Sequence, residues 1–319
     1  MLSRHIVRSK TLQAIYSHVI GGENDIAKSG KALLSSVEDM RDLAHLQIYA
    51  LLELHRIAER KIEENKNKLM PSEEDINPNL TFVNNPMLLH LNENQNLKNE
   101  FAALKVDWSE MEDIFRKMYK EVQSWTDYKK YMLEKEHTFN SHRQFIAKLF
   151  KKYIAFDQNL RDFFEEKNIH WSIDTYLTGV MVHAWLKKYD PENPASLKFP
   201  KMLKDSEGLG DDDDKTFMLK LFDKTLLNFN KYDEIIEKHL KNWELDRIIT
   251  IDILIIKMAL TEIIYFENIP IKASLNEYIE LSKEFGSSKS NSFVNGLLDK
   301  IIQELKSEKK IVKVGRGLE

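Results

Sequence analysis

Apolar positions recur at helical spacing along almost the whole chain. Leu12, Ile15, Tyr16 and Val19 follow the i, i+3, i+4, i+7 rule, which predicts a first helix that ends at the glycine pair 21–22. The same spacing predicts further helices at about 31–69, 107–124, 139–168, 172–188, 214–229, 231–242, 245–267, 273–285 and 289–306. The pattern therefore predicts an all-α fold.

Two proline-bearing segments interrupt this pattern. Residues 71–86 contain three prolines among polar residues and predict a loop, and residues 189–215 contain three more. Four aspartates follow at 211–214, and we interpret them as a solvated loop whose last members favour the start of the next helix. A calcium site is the weaker alternative, because the run lacks the alternating ligands and the glycine of an EF-hand.

Composition excludes several classes of protein. The chain has 319 residues, of which 47 are basic and 51 are acidic. Because the two signs nearly balance, any nucleic-acid site must be a local basic patch. The absence of cysteine excludes disulfides and thiolate chemistry and fits a reducing cytosol. The longest apolar stretch, 248–260, is interrupted by Asp252 and Lys257, which predicts a cytoplasmic protein without a membrane segment. No P-loop, GxGxxG, GxSxG or HExxH motif is present, so we expect no catalytic residues, metal or cofactor.

The chain also contains an internal echo. Phe145, Lys148, Leu149 and Phe150 match Phe217, Lys220, Leu221 and Phe222 in spacing, and Trp171, Ile173 and Asp174 match Trp243, Leu245 and Asp246. The echo favours a duplicated helix arrangement, with chance similarity among amphipathic helices as the alternative.

Several motifs at the two ends of the chain occur in a known order. They are RSKTLQAIYSH at 8–18, NWELDRIITIDILIIKMALTEIIY at 242–265, IP at 269–270, LNEYIELSKEFG at 275–286 and FVNGLLDKI at 293–301. Together they resemble the NusB family of transcription antitermination factors over roughly the first 20 and the last 100 residues. The resemblance implies a NusB-like helical bundle with a large helical insertion after the first helix. It divides the chain into a first helix at 1–22, a helical insertion at 23–210, an antitermination domain at 211–306 and a charged tail at 307–319. The internal echo favours a degenerate repeat of the fold within the insertion, with chance similarity still the alternative.

An RNA surface is predicted first at the amino-terminal helix. Arg4 and Arg8 point in the same direction as the apolar stripe, and a core cannot accept two unpaired guanidinium groups. We therefore expect the first two turns to project beyond the bundle and to present Arg4, His5 and Arg8 to phosphate. The alternative is a frayed, solvated chain end.

The last helices supply the rest of this surface. Ser290 is the expected cap of the final helix, whose start can bind phosphate through Lys289, while Phe293 can stack on a base. The alternative for Phe293 is an ordinary core residue. The resemblance places Lys257 on the RNA side too, and some familiar members carry an acidic residue where this chain has Lys289. Lysine at that position should attract RNA more strongly.

The resemblance also implies a protein partner. Tyr16, Asp246 and Asp252 match family positions that face a basic small-subunit ribosomal protein of the NusE type, with plain surface roles as the alternative. The implied function is binding of a boxA-like single-stranded RNA with that protein, within an RNA polymerase antitermination complex that acts chiefly on ribosomal RNA transcripts. The resemblance leaves self-association open.

Two other functions remain as alternatives. One is a helical interaction module without RNA binding. The other is a relative of the NusB-like domains that are fused to RNA methyltransferases, which the lack of cysteine disfavours.

Overall fold

The computed structural model describes residues 1–204, 213–240 and 248–314. Within these ranges the chain forms helices and contains no strand, as the sequence predicts. The α-helices are α1 Arg4–Ile20, α2 Ile26–Lys66, α3 Glu73–Ile76, α4 Pro86–Glu93, α5 Gln95–Leu104, α6 Glu112–Ser124, α7 Thr126–Leu133, α8 Phe139–Leu149, α9 Gln158–Lys167, α10 Trp171–Leu186, α11 Asp214–Leu227, α12 Phe229–His239, α13 Thr250–Tyr265, α14 Ile271–Phe285 and α15 Ser290–Ser307. None of the described helices is both long and apolar enough to cross a bilayer.

The chain divides into two compact units. Unit 1 contains Met1–Val37 and Met202–Glu319, and unit 2 contains Glu38–Lys201. Helix α2 begins in unit 1 and continues into unit 2. The predicted boundary at residue 210 lies outside the described residues, so the division at 22 and 210 stays a prediction.

Unit 1 is built around α13, the most apolar helix. It packs against α1, α11, α12, α14 and α15. Pro270 precedes α14 as predicted, and Asp213 caps α11 by accepting hydrogen bonds from the backbone N–H groups of Lys215 and Thr216. The prediction that the end of the acidic run favours this helix start is confirmed for Asp213.

Unit 2 has its own aromatic core. Tyr131 stacks on Phe145 with ring centroids 3.9 Å apart, and Phe82 packs edge-on against Phe145. The predicted loop at 71–86 contains the one-turn helix α3, which a capping box between Ser72 and Asp75 stabilises.

The predicted helix at 139–168 is wrong in one respect, because it is interrupted. A π-helix at Phe150–Ile154 follows α8, and Asp157 then caps α9 by accepting from the N–H of Leu160. No glycine or proline marks this break in the sequence. Phe145, Leu149 and Phe150 of the echo are buried, as are the matching Phe217, Leu221 and Phe222. Ile173 is exposed, however, and the matched residues 243–246 lie outside the described residues, so the duplication stays a prediction.

A close helix approach in unit 2 generates a stability prediction. A Cβ added at Gly179 in α10 would lie 3.1 Å from both the Cβ and the carbonyl oxygen of Ala155. We expect Gly179→Val to lower the free energy of unfolding by about 1–3 kcal/mol, because backbone must move to admit the side chain. Urea unfolding followed by circular dichroism measures this.

The control is Gly296→Ala in the interior of α15, where an added Cβ meets no atom within 4 Å. This change should stabilise by roughly 0.5–1 kcal/mol through helix propensity alone. Equal effects of the two variants would contradict the close-approach explanation.

Candidate nucleic-acid interface

The amino-terminal helix enters the bundle through a buried ion pair. Arg8 is only 4% exposed, and its Nε and Nη2 donate to Glu262 Oε2 and Oε1 at 2.7 and 2.8 Å. Arg8 Nη1 also donates to Glu277 at 3.3 Å. Burial opposes the charge of Arg8, but the hydrogen bonds to Glu262 outweigh it and raise the pKa of Arg8 above its ordinary value. The paired geometry ties α1 to both α13 and α14.

Glu262 is fully satisfied in this core. Besides the two bonds from Arg8, Ser274 Oγ donates to Oε1 at 2.7 Å and Tyr278 Oη donates to Oε2 at 2.9 Å. A buried carboxylate with four donors is stable where an unpaired one would not be. The sequence prediction missed Glu262, although a lone carboxylate in the apolar run of α13 signals a buried partner.

The predicted projection of the first two helical turns is wrong. Arg8 is inside the bundle because the carboxylate of Glu262 neutralises its charge. Arg4 Nε lies 2.8 Å from Asp214 Oδ1, and its guanidinium group sits over the ring of Phe217 at 4.3 Å. The side chain of Arg4 remains partly exposed.

His5 lies against helix α14. Its Nδ1 is 3.2 Å from Glu277 Oε2, and its Nε2 is 3.1 Å from Glu284 Oε2. Because Glu277 and Glu284 are two turns apart on α14, His5 bridges along that helix.

A groove of about 530 Å³ opens beside Arg4. Its lining comprises Met1, Leu2, Arg4, Arg8, Lys204, Asp214, Phe266, Asn268 and Ile269. Arg8 is paired with Glu262 and Arg4 with Asp214, and Lys204 adds one exposed cation to the lining.

Lys257 occupies a different face of α13. It is 1% exposed, its Nζ donates to Asp233 Oδ2 at 2.7 Å, and the same atom lies 3.1 Å from the ring centroid of Phe229. Burial lowers the pKa of Lys257, and Asp233 opposes that shift. Lys257 therefore joins α13 to α12 and presents no accessible charge.

The start of α15 differs from the predicted cap. Lys289 is the exposed N-cap residue and makes no side-chain cap bond, whereas Ser290 is the first helical residue. Ser290 Oγ instead donates to Asp252 Oδ2 at 2.7 Å. Burial raises the pKa of Asp252, while the bond from Ser290 opposes the shift. Phe293 is half-buried one turn into the helix.

Tyr16 lines a second groove. The side chain is 42% exposed and borders a cavity of about 480 Å³ with Leu12, Gln13, Ile249, Thr250, Ile251 and Phe285. Asp252, in the adjoining first turn of α13, is buried, and Asp246 lies outside the described residues.

The structure thus brings the predicted residues together in part. Arg4, His5 and Arg8 share one side of unit 1, where α1 meets α11, α13 and α14. Lys289 and Phe293 lie at the start of α15, which Ser290 joins to the start of α13. Lys257 stands apart, against α12.

The sequence of this chain is similar to proteins of one known family. Residues 181–303 match the model of the NusB family. Over 110 residues the chain is 44% identical to the transcription antitermination protein NusB of Salinibacter ruber, a match that covers 34% of this chain and 69% of the relative. The chain belongs to the NusB family.

Two other NusB proteins are similar over comparable segments. The protein of Chloroherpeton thalassium is 40% identical over 104 residues, covering 33% of this chain and 49% of the relative. That of Alkaliphilus oremlandii is 39% identical over 98 residues, covering 31% of this chain and 71% of the relative. No solved structure is significantly similar to this chain. Each of these three similarities covers about a third of the chain.

The Arg8–Glu262 pair generates a stability prediction. We expect Arg8→Met to lower the free energy of unfolding by about 3–5 kcal/mol, because Glu262 would stay buried without a counter-charge. Adding Glu262→Gln should recover part of that stability, since the buried charge is then gone. Urea unfolding of the single and double variants measures the coupling.

Lys283→Met is the matched control, because Lys283 pairs with Glu280 on the exposed side of α14. Removing that exposed pair should cost no more than about 1 kcal/mol. If Arg8→Met cost as little as Lys283→Met, the buried pair would not organise unit 1.

Proposed function

We propose that this chain is a transcription antitermination factor that binds a boxA-like single-stranded RNA together with a NusE-type small-subunit ribosomal protein. The complex would load onto RNA polymerase and suppress premature termination, chiefly of ribosomal RNA transcripts. No bond is made or broken, since recognition proceeds through charge, stacking and shape. The observation that carries the proposal is the Arg8–Glu262 pair, which ties the opening helix to the helices that match the NusB family.

We assign the direct RNA contacts by accessibility. Arg4, which lines the groove of about 530 Å³, and His5 are partly exposed, and Lys289 is exposed at the start of α15. A half-buried Phe293 can offer one ring face to an unpaired base, a contact worth about 1–3 kcal/mol. Arg8 and Lys257 would act through the helices that they hold in place, because both are buried and paired.

The groove beside Tyr16 is our candidate for the protein partner. It joins the end of α1, the start of α13 and the end of α14, and its lining is mainly apolar. Asp252 is buried and accepts from Ser290, so it would act by holding α13 against α15, and Asp246 is assigned to the same interface from the resemblance alone. We assign residues 1–22 and 211–306 to the NusB-like part and residues 23–210 to an insertion, whose end from residue 181 onward also falls within the family match.

RNA binding is tested with the full chain by electrophoretic mobility shift of a boxA-like RNA, with and without a NusE-type protein. We expect Arg4→Gln and Lys289→Glu each to weaken binding several-fold at moderate salt. The slope of log affinity against log salt should become shallower by about one for each phosphate that the variant no longer binds.

The control for Lys289→Glu is Lys300→Glu, an equal charge change at an exposed position of the same helix. It should leave affinity nearly unchanged. Absence of a shift under both conditions would favour the helical interaction module without RNA binding. Equal weakening by the two lysine variants would mean that only general charge matters.

The partner surface is tested separately. Tyr16→Ala should weaken binding of the NusE-type protein at least about tenfold, because an aromatic side chain that anchors a groove usually dominates such contacts. Isothermal titration calorimetry without RNA measures this. The control Leu227→Ala removes another exposed apolar side chain of unit 1 outside the groove and should have no effect. Unchanged affinity of Tyr16→Ala would remove this groove from the interface.

A further inference from the structure

Helix α10 in unit 2 carries an exposed apolar stripe. Ile173 is 64% exposed and Tyr176 is 69% exposed, Val180 continues the row, and Ile169 is exposed in the turn just before the helix. The positions 173, 176 and 180 follow the helical repeat, so these side chains lie on one face of α10 over about 10 Å. Contiguous exposed apolar side chains can mark an interaction surface. The row precedes residue 181, where the match to the NusB family begins.

The segment that follows α8 packs closely against α10 and contacts this stripe. Phe156 stacks on Tyr176 with ring centroids 5.2 Å apart, and Phe156 is itself exposed. It follows the π-helix, whose end packs at Gly179 through Ala155. The aromatic pair is therefore held in place before any partner arrives, which lowers the entropic cost of binding.

Charges at the two ends of the stripe have opposite sign. Lys187 and Lys188 are exposed beyond the carboxyl end. Burial lowers the pKa of His183, and the positive charges of Lys151 and Lys187 lower it further. Lys151 therefore lies near the carboxyl end of α10 as well. Glu165 and Glu166 are exposed at the end of α9, directly before the amino end of the stripe.

Lys167, at the same acidic end, is engaged with Glu110 and with the ring of Phe163. Asp174, the one acidic residue within α10, is buried. The exposed surface therefore runs from acidic, through apolar, to basic.

We propose that this face of α10 is the interface of a homodimer in which a second copy packs antiparallel against it. A two-fold axis near Tyr176 would bury both apolar stripes and set the basic end of each copy on the acidic end of the other. A different protein with an acidic helix would complement only the basic end of this face. A single-stranded RNA would meet Glu165 and Glu166 and would gain little from Ile169, Ile173 and Val180.

Sedimentation equilibrium of the full chain, without RNA, tests the proposal. We expect a reversible dimer of about twice 37.6 kDa in the micromolar range, weakened by salt. Tyr176→Lys should raise the dimer dissociation constant at least about tenfold. Leu133→Lys, an exposed apolar position of unit 2 outside the stripe, should leave it unchanged.

Charge reversal tests the orientation. The variant Lys187→Glu with Lys188→Glu should weaken the dimer, and so should Glu165→Lys with Glu166→Lys. Combining all four changes should restore association, because each reversed end then meets its complement.

Three results would overturn the proposal. They are a monomer at 100 µM (roughly the upper limit for a weak specific dimer), a dimer that Tyr176→Lys does not weaken, and charge reversals that do not rescue each other. A monomer that shifts a uridine oligonucleotide in a Tyr176-dependent way would assign the face to RNA instead. The dimer needs no RNA or ribosomal protein, so failure here leaves the proposed antitermination function untouched, and the converse also holds.

Discussion

The fold of unit 1 depends on one buried ion pair between residues 254 positions apart. Glu262 could not be buried alone, because an ionised carboxylate in an apolar core costs several kcal/mol unless it is paired. Arg8 supplies the charge, and Ser274 and Tyr278 supply the remaining donors. The pair therefore forces the first helix into the bundle in one register. That register in turn sets Arg4 and His5 at the surface, against α11 and α14.

Helix α13 distributes buried charges to its neighbours by a simple geometric rule. Asp252, Lys257 and Glu262 are five residues apart, and each step of five turns the helix by about 140°. The three side chains therefore point in three directions, and each meets a different neighbour: Ser290 of α15, Asp233 of α12 and Arg8 of α1. An all-apolar helix would pack against these neighbours in several rotations, whereas specific polar pairs favour one.

This rule explains what the sequence could and could not predict. Periodicity located α1, α2 and α11 to α15 because apolar spacing is local. It missed α4, α5 and α7, which are short, and it missed the break after α8, which no glycine or proline announces. The predicted exposure of Arg8 is wrong for another reason, because its partner is a glutamate far away in the sequence. A local pattern shows an arginine on the apolar face of a helix but does not show which residue neutralises it. The family resemblance predicted the candidate residues. Only the structure distinguishes Lys289, which is exposed and can contact RNA, from Lys257, which is buried.

Insertion of a second unit after the first helix is compatible with this pair. Unit 2 buries its own aromatic core, with Phe82, Tyr131 and Phe145 in contact, so its apolar residues do not need the core of unit 1. The Arg8–Glu262 pair lies wholly within unit 1, because both residues belong to it although they are distant in sequence. A longer connection raises the entropic cost of closing the pair only logarithmically. Extra chain can therefore accumulate between the first helix and α11, and new surfaces such as the α10 stripe can arise there, without changing the contacts that hold the NusB-like bundle together.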